Sequence, residues 1–317
     1  MQNLIGLVLL IVASLLLIWL LTMVAKVRRR SLRWIGAVVL GVLLVMTSLL
    51  SGAVAAGLIK QHGRGAHLPV PAVEIDAGQV ARGKAVSDSF CADCHSRTGT
   101  LTGGKDFAEE IPVPIGSFIP SNLTPAGSLA QWSDGEIFRA IRNSVGANGN
   151  WLTIMSYTSA NMLSDGDIKA VIAYLRSLSP AGDRTPDPPD RLNLLGLAML
   201  GADLLPAGKP ISTTSITSPP PGATPEYGAY LVSYLDCRGC HGQELTGGVP
   251  GQMTPLGPDL TVMKSWSLHD FISTMRTGIN PNGYGLSRQM PWRSIGCLGD
   301  DELTAMYEYV TNAIPGK

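Results

Sequence analysis

The feature that most constrains this 317-residue chain is a five-residue motif that occurs twice. Cys91-Ala-Asp-Cys94-His95 is the first copy and Cys237-Arg-Gly-Cys240-His241 the second, and together they use four of the five cysteines. Two thiols separated by two residues reach one flat ring from a single helical turn. The adjacent histidine then turns its imidazole toward the centre of that ring. This is the attachment pattern of covalently bound haem c, with His95 and His241 as the expected proximal iron ligands. Zinc would more naturally take two facing cysteine pairs, and thiol–disulfide exchange has no use for the following histidine. A chain with two such sites folds around two porphyrins, which supply interior that a unit of roughly 95 residues is slow to build from side chains alone.

The N-terminus sets a second constraint. Residues 4–25 read LIGLVLLIVASLLLIWLLTMVA and residues 35–59 read IGAVVLGVLLVMTSLLSGAVAAGLI, both without charge. At about 1.5 Å per residue each run spans a bilayer core. The loop between them carries Lys26, Arg28, Arg29, Arg30 and Arg33, and such a basic loop belongs in the cytoplasm. Both ends of the hairpin then face the other side, so the haem-bearing part is expected outside the cytoplasm (periplasmic), where haem c is attached. A cleaved signal peptide is the alternative, but the first run is too long for one and lacks a basic start. Trp34 opens the second run where interfacial anchoring is favourable. Its glycines suit either a close helix contact or a lipid-facing surface.

The remainder repeats itself. LTGG stands at 101–104 and again at 245–248, and SNLTP at 121–125 is echoed by PDLT at 258–261. WSDGEIFRAIR (132–142) answers WSLHDFISTMR (266–276), and then come Met155 and Met290. Each copy closes with a helical pattern. Ser133, Ser267 and Ser164 are expected N-caps. Ile168, Val171, Ile172 and Leu175 form one apolar face, with Leu303, Met306, Tyr307 and Val310 in the second copy.

Met155 and Met290 hold matching places and are the expected sixth iron ligands, since a neutral thioether favours ferrous iron. Met162 is expected in the core, and Met253 and Met263 lie in the second long loop. Of the other histidines, His62 and His67 follow the membrane run and His269 is expected on a solvated helix face. Arg142 with Arg276, and Trp132 with Trp266, are candidates for hydrogen bonds to haem propionates. Tyr157 and Trp292 are candidates for packing on the haem edge or reaching a propionate. Cys297, without a partner, is expected to be a small buried thiol. Between the copies lies a Pro-rich linker holding NLLGLAMLGADLLP, too short to span a membrane. It is expected as a short helix that covers a haem edge, docks on a partner or lies on the membrane.

Net charge is zero, 24 basic against 24 acidic residues, which gives no support to a nucleic-acid partner. No nucleophile with a paired base and no phosphate loop is evident, so no catalytic residue is assigned. VPIGSFIPSNLTP (113–125), WSDGEIFRAIR and the stretch from Met155 to YLRSL resemble class I cytochromes c. More narrowly, they resemble the haem-bearing subunits of membrane-bound alcohol and gluconate dehydrogenases. The resemblance spans residues 78–317 and implies His–Met ligation of each iron. Those subunits usually carry three haem motifs and a C-terminal anchor, whereas this chain has two motifs and an N-terminal hairpin. Diheme subunits of certain haem–copper oxidases are also similar.

The expectation is an all-α chain: a two-helix transmembrane hairpin (1–60), a juxtamembrane linker (61–77), and two tandem class I cytochrome c domains (78–180 and 225–317) separated by a linker (181–224). It would hold two haem c groups and pass electrons, without catalysing a reaction itself, to other subunits of a membrane respiratory or photosynthetic oxidoreductase complex or to a soluble carrier. A haem enzyme of diheme-peroxidase type, or the cytochrome subunit of a membrane dehydrogenase, is the alternative.

Overall fold

The computed structural model describes residues 2–65, 68–252 and 254–313, and it is mostly helical. His67 and Met253 lie outside the described residues. Two helices, α1 (Gln2–Val24) and α2 (Arg30–Gly63), pack together as a hairpin. Each is long and apolar enough to cross a membrane. α2 outruns its apolar segment at both ends, because the flanking Arg30–Trp34 and Lys60–Gly63 contain no proline to stop it. Ser14 Oγ donates to Thr47 Oγ1 across the hairpin at 3.0 Å, a polar tie between apolar helices. The glycines divide as the sequence left open: Gly36 abuts Val24 of α1, whereas Gly41 and Gly52 meet nothing within 4 Å.

A first helical unit follows. α3 (Val80–Val86) runs through a wide turn, Ser87–Cys91, into α4 (Ala92–His95), and α5 (Asp134–Asn143) and α6 (Asp165–Ser177) complete it. Ser133 and Ser164 cap α5 and α6 as expected, accepting from the Glu136 and Asp167 amides. Ile168, Val171, Ile172 and Leu175 are all buried. α3 crosses α6 at Gly83, where a built Cβ would sit 1.9 Å from the Ala170 carbonyl oxygen and 2.8 Å from Tyr174 Cβ.

The segment after α6 is not all loop. Strands β1 (Gly116–Phe118) and β2 (Asp190–Leu192) pair antiparallel, so the start of the linker folds back on the first unit. This small sheet is the departure from an all-helical chain. Next, α7 (Leu194–Gly201) docks on α2. The two backbones touch: a Cβ on Gly57 would lie 2.0 Å from Leu197 O, and one on Gly201 would lie 1.8 Å from Ala53 O. Lys60 Nζ secures the crossing through Leu200 O (3.2 Å) and Asp203 (2.5 Å). The apolar linker segment takes a role outside the three expected: it docks on the hairpin.

A second helical unit comprises α8 (Pro225–Tyr234), α9 (Cys237–His241), α10 (Leu268–Thr277), α11 (Trp292–Ile295) and α12 (Asp300–Ala313). Ser267 caps α10 through a reciprocal bond with Asp270. α8 crosses α12 at Gly228, whose built Cβ would lie 1.9 Å from Ala305 O and 2.8 Å from Tyr309 Cβ, the same distances as at Gly83. One continuous core joins the units, running from Val86, Ile168 and Ile172 to Leu231, Leu303 and Val310. Arg82 bridges them, gripping Asp167 with two bonds (2.7 and 2.8 Å) and Glu302 with one (2.5 Å).

Candidate functional site

Both cysteine–histidine motifs open into a single cavity of about 760 Å³. Its wall is largely apolar and draws on both units, including Phe118, Leu129, Leu175, Leu260, Phe271 and Val310. Cys91, Cys94 and His95 line it from α4 and the turn before it, and Cys237, Cys240 and His241 from α9.

Each imidazole is held from behind. His95 Nδ1–H donates to Ser121 O at 2.8 Å, and His241 Nδ1–H donates to Pro258 O at 2.8 Å. A carbonyl can only accept, so the proton sits on Nδ1 and the lone pair on Nε2. Burial lowers the pKa of both histidines, which keeps them neutral and fit to bind a metal. The repeated SNLTP and PDLT sequences thus supply the carbonyl that orients the imidazole.

The repeated LTGG has an equally local role. Leu101 (φ 55°) and Leu245 (φ 59°) both sit in the left-handed region and reverse the chain. Gly103 N then donates to His95 O and Gly247 N to His241 O, each at 2.9 Å. The next glycine passes against the motif itself: a Cβ on Gly104 would meet Cys94 O at 2.0 Å and one on Gly248 would meet Cys240 O at 2.6 Å. Any larger residue would push the loop off the thiols.

Burial pushes the thiol of Cys91 up to about 11 and those of Cys94 and Cys237 up to about 12, and raises Cys240 too. Protonated, buried thiols are poor redox nucleophiles. Among the described residues no group of three or more His, Cys, Asp or Glu converges as an ion site. An apolar slot flanked by paired thiols and an oriented neutral imidazole fits covalent haem.

Met155 and Met290 both line the cavity, as do Trp132 and Trp266. Met263, considered with Met253 in the second long loop, is a buried wall residue. Met162 is 40% exposed rather than in the core. His269 is exposed as expected, and His62 Nδ1 pairs with Asn150 Oδ1 at 2.6 Å.

Further expectations need correction. Arg142 and Arg276 do not line the cavity. Each staples the middle helix of its unit to the start of the closing helix: Arg142 bonds Asp165 (2.6 Å) and Asn161 O, and Arg276 bonds Asp300 (2.8 Å) and Gly296 O. Neither guanidinium lines the cavity, so the propionate role finds no support in its wall. Tyr157 is drawn instead to Pro206 O (2.8 Å) and Trp151, and Trp292 to Arg293, so neither reaches the cavity. Cys297 is exposed, not buried. One wall residue was missed: Asp190, assigned to the linker, is buried beside the Met155 loop and accepts from Thr153 N. The arginine–aspartate staple had a signal in sequence, since Arg142 and Arg276 precede an aspartate by nearly the same interval in both copies.

Residues 80–179 match the cytochrome c family. The chain is 26% identical over 254 residues to the gluconate 2-dehydrogenase cytochrome c subunit of Pantoea cypripedii, covering 69% of this chain and 56% of that one. It is 25% identical over 256 residues to the fructose dehydrogenase cytochrome subunit of Gluconobacter japonicus, covering 72% and 50%. A further relative is the quinone-linked alcohol dehydrogenase cytochrome c subunit of Gluconobacter oxydans, 27% identical over 100 residues, covering 27% and 21%. The chain therefore spans about half the length of the first two.

Proposed function

We propose that this chain, whose residues 80–179 form a cytochrome c domain, is a membrane-anchored electron carrier with two covalent haem c groups. The observation that carries this reading is the shared cavity: both Cys-x-x-Cys-His motifs, with matched Nδ1 bonds, face it together with Met155 and Met290. Residues 225–317 act as a second cytochrome c domain, supported by the matched crossings at Gly83 and Gly228 and the matched staples at Arg142 and Arg276. Bound haem supplies reversible one-electron chemistry.

The protein's own part is positional. Cys91 with Cys94, and Cys237 with Cys240, would hold the rings; His95 and Met155 would ligate one iron, and His241 and Met290 the other. The apolar wall excludes water, which keeps the local dielectric low and raises the cost of added charge. The shared cavity keeps the two sites within one interior, so electrons need not cross solvent between them. α1 and α2 anchor the chain in the membrane, with the units on the extracytoplasmic side. The names of the relatives favour a dehydrogenase subunit as the electron donor.

Intact-mass measurement of the mature chain, with a pyridine haemochrome assay and a potentiometric titration, tests the reading. The expected result is the polypeptide mass plus two porphyrins and two reversible one-electron steps. A mass with one porphyrin or none would overturn it. Ready binding of cyanide or carbon monoxide at either iron would instead favour a haem enzyme.

A further inference from the structure

A second cavity, of about 340 Å³, lies on the opposite face of α5. The helix divides the two spaces cleanly: Ile137, Ala140 and Ile141 line the large cavity, and Phe138, Arg139 and Arg142 the small one, with no wall residue in common. The small cavity is closed by the segment just beyond α2 and by residues 212–215 of the linker.

Its electrostatics are unusual. Among the described residues, three cationic side chains, Arg139, Arg142 and Lys169, line it against one carboxylate, Asp165. Asp165 is already committed to Arg142, to Ser215 Oγ–H (2.7 Å) and to Ile216 N–H (3.2 Å). Arg139 is only 5% exposed, yet takes part in none of the ion pairs among the described residues. Its terminal nitrogens reach only carbonyls, Leu68 O (3.3 Å), Gly146 O (2.8 Å) and Ala147 O (3.1 Å), and its buried Nε–H has no partner. Lys169 has no hydrogen-bond or ion-pair partner among the described residues either. A buried guanidinium without a counter-charge is costly, because carbonyl dipoles replace only part of its hydration. An anion in the cavity would offset the excess positive charge on its wall.

We propose that this cavity is a binding site for a phosphoryl oxyanion, either free phosphate or the headgroup of an anionic phospholipid. Guanidinium donors and a free ammonium suit a multiply charged oxyanion, and charge-assisted bonds of this kind are the strong ones. Leu68, Pro69 and Pro71 on the wall follow closely on Gly63, the last residue of α2. This places the cavity near the end of the apolar hairpin, where the polar headgroup layer begins if the hairpin spans the bilayer as proposed.

The test uses the full chain, haem-loaded and delipidated in neutral detergent. Thermal unfolding is followed during titration with inorganic phosphate, against sodium chloride at equal ionic strength. In parallel, the protein is mixed with micelles of phosphatidylglycerol or phosphatidylcholine and retained lipid is counted by native mass spectrometry. Saturable stabilisation by phosphate alone identifies a soluble oxyanion, and selective retention of phosphatidylglycerol identifies a headgroup. In either case Lys169→Glu should weaken binding at least tenfold while leaving the haem absorption spectrum unchanged. Arg139→Gln should do the same; if that variant does not fold, Lys169→Glu decides. Absence of any saturable effect in both arms, or wild-type binding by Lys169→Glu, overturns the proposal. The haem assignment stands apart from this outcome.

Discussion

Replacing Gly83 by alanine probes the packing on which the first unit depends. An added Cβ would lie 1.9 Å from Ala170 O, about 1.5 Å short of ordinary van der Waals contact. No side-chain rotation relieves this, because the obstacle is the backbone of α6. The helices must part, and with them the apolar contacts of Val86 with Val171 and its neighbours in the core. Two effects oppose one another. Alanine gains about 1 kcal/mol over glycine in a helix; overpacking a close crossing costs about 3 kcal/mol or more. The net expectation is a loss of about 2–3 kcal/mol, which for a soluble part of this size lowers the melting temperature by roughly 4–12 °C. Far-ultraviolet circular dichroism of the haem-loaded protein in detergent measures it. Gly228→Ala should match it, since its obstacle, Ala305 O, stands at the same 1.9 Å. Gly166→Ala is the control: it is also in a helix, and its nearest neighbour is Ser164 Oγ at 3.8 Å. That variant should be neutral or slightly more stable. A melting temperature for Gly83→Ala equal to or above the parent's would refute the reasoning, because only helix propensity would then be acting.

Three further outcomes are expected. Burial raises the Asp190 carboxyl to about 6, so between about pH 4 and 6 the folded chain keeps a proton that the unfolded chain releases. Stability then falls as pH rises through that window, by up to about 3 kcal/mol, and stays level above it. Asp190→Asn, which can still accept from Thr153 N, should stabilise the protein at pH 8 and not at pH 4; an equal effect at both would refute this. Arg142→Gln should cost about 2–3 kcal/mol because Arg142 is 3% exposed, whereas Arg276→Gln, at 38% exposed against an Asp300 at 76%, should cost less than about 1 kcal/mol in chemical denaturation. Met155→Ala and Met290→Ala should each lose the weak far-red ferric absorption band of one thioether-ligated haem and lower one midpoint potential; native spectra in both would remove methionine from the ligand set.

What the sequence showed and what it hid divides along the range of the interaction. The motifs, the serine caps and the apolar faces of α6 and α12 depend on residues a few positions apart, so their spacing is readable. The purpose of LTGG and SNLTP was visible only as repetition; the structure adds that they wrap the motif and supply the carbonyl behind each histidine. A guanidinium serves a propionate or an aspartate equally well, and the bonds of Arg142 and Arg276 to Asp165 and Asp300 rest on how the middle and closing helices meet. Cys297 was placed inside because thiols usually are, but the turn between α11 and α12 leaves it outside. The docking of α7 joins Gly57 to Leu197, a contact no local pattern encodes.

That docking has a consequence for motion. A segment between two folded units would ordinarily let them swing, yet here it is moored along its length. α7 is fastened to α2, Lys209 N–H donates to Ser156 O (2.9 Å), Ser212 N–H to Asn143 Oδ1 (2.7 Å), and Asp165 N–H to Ile216 O (2.8 Å). On the proposed membrane anchoring, the two helical units would travel with the hairpin as one piece. On that reading, reach toward a partner would come from drift and spin within the plane of the bilayer, so encounters should slow with lateral viscosity.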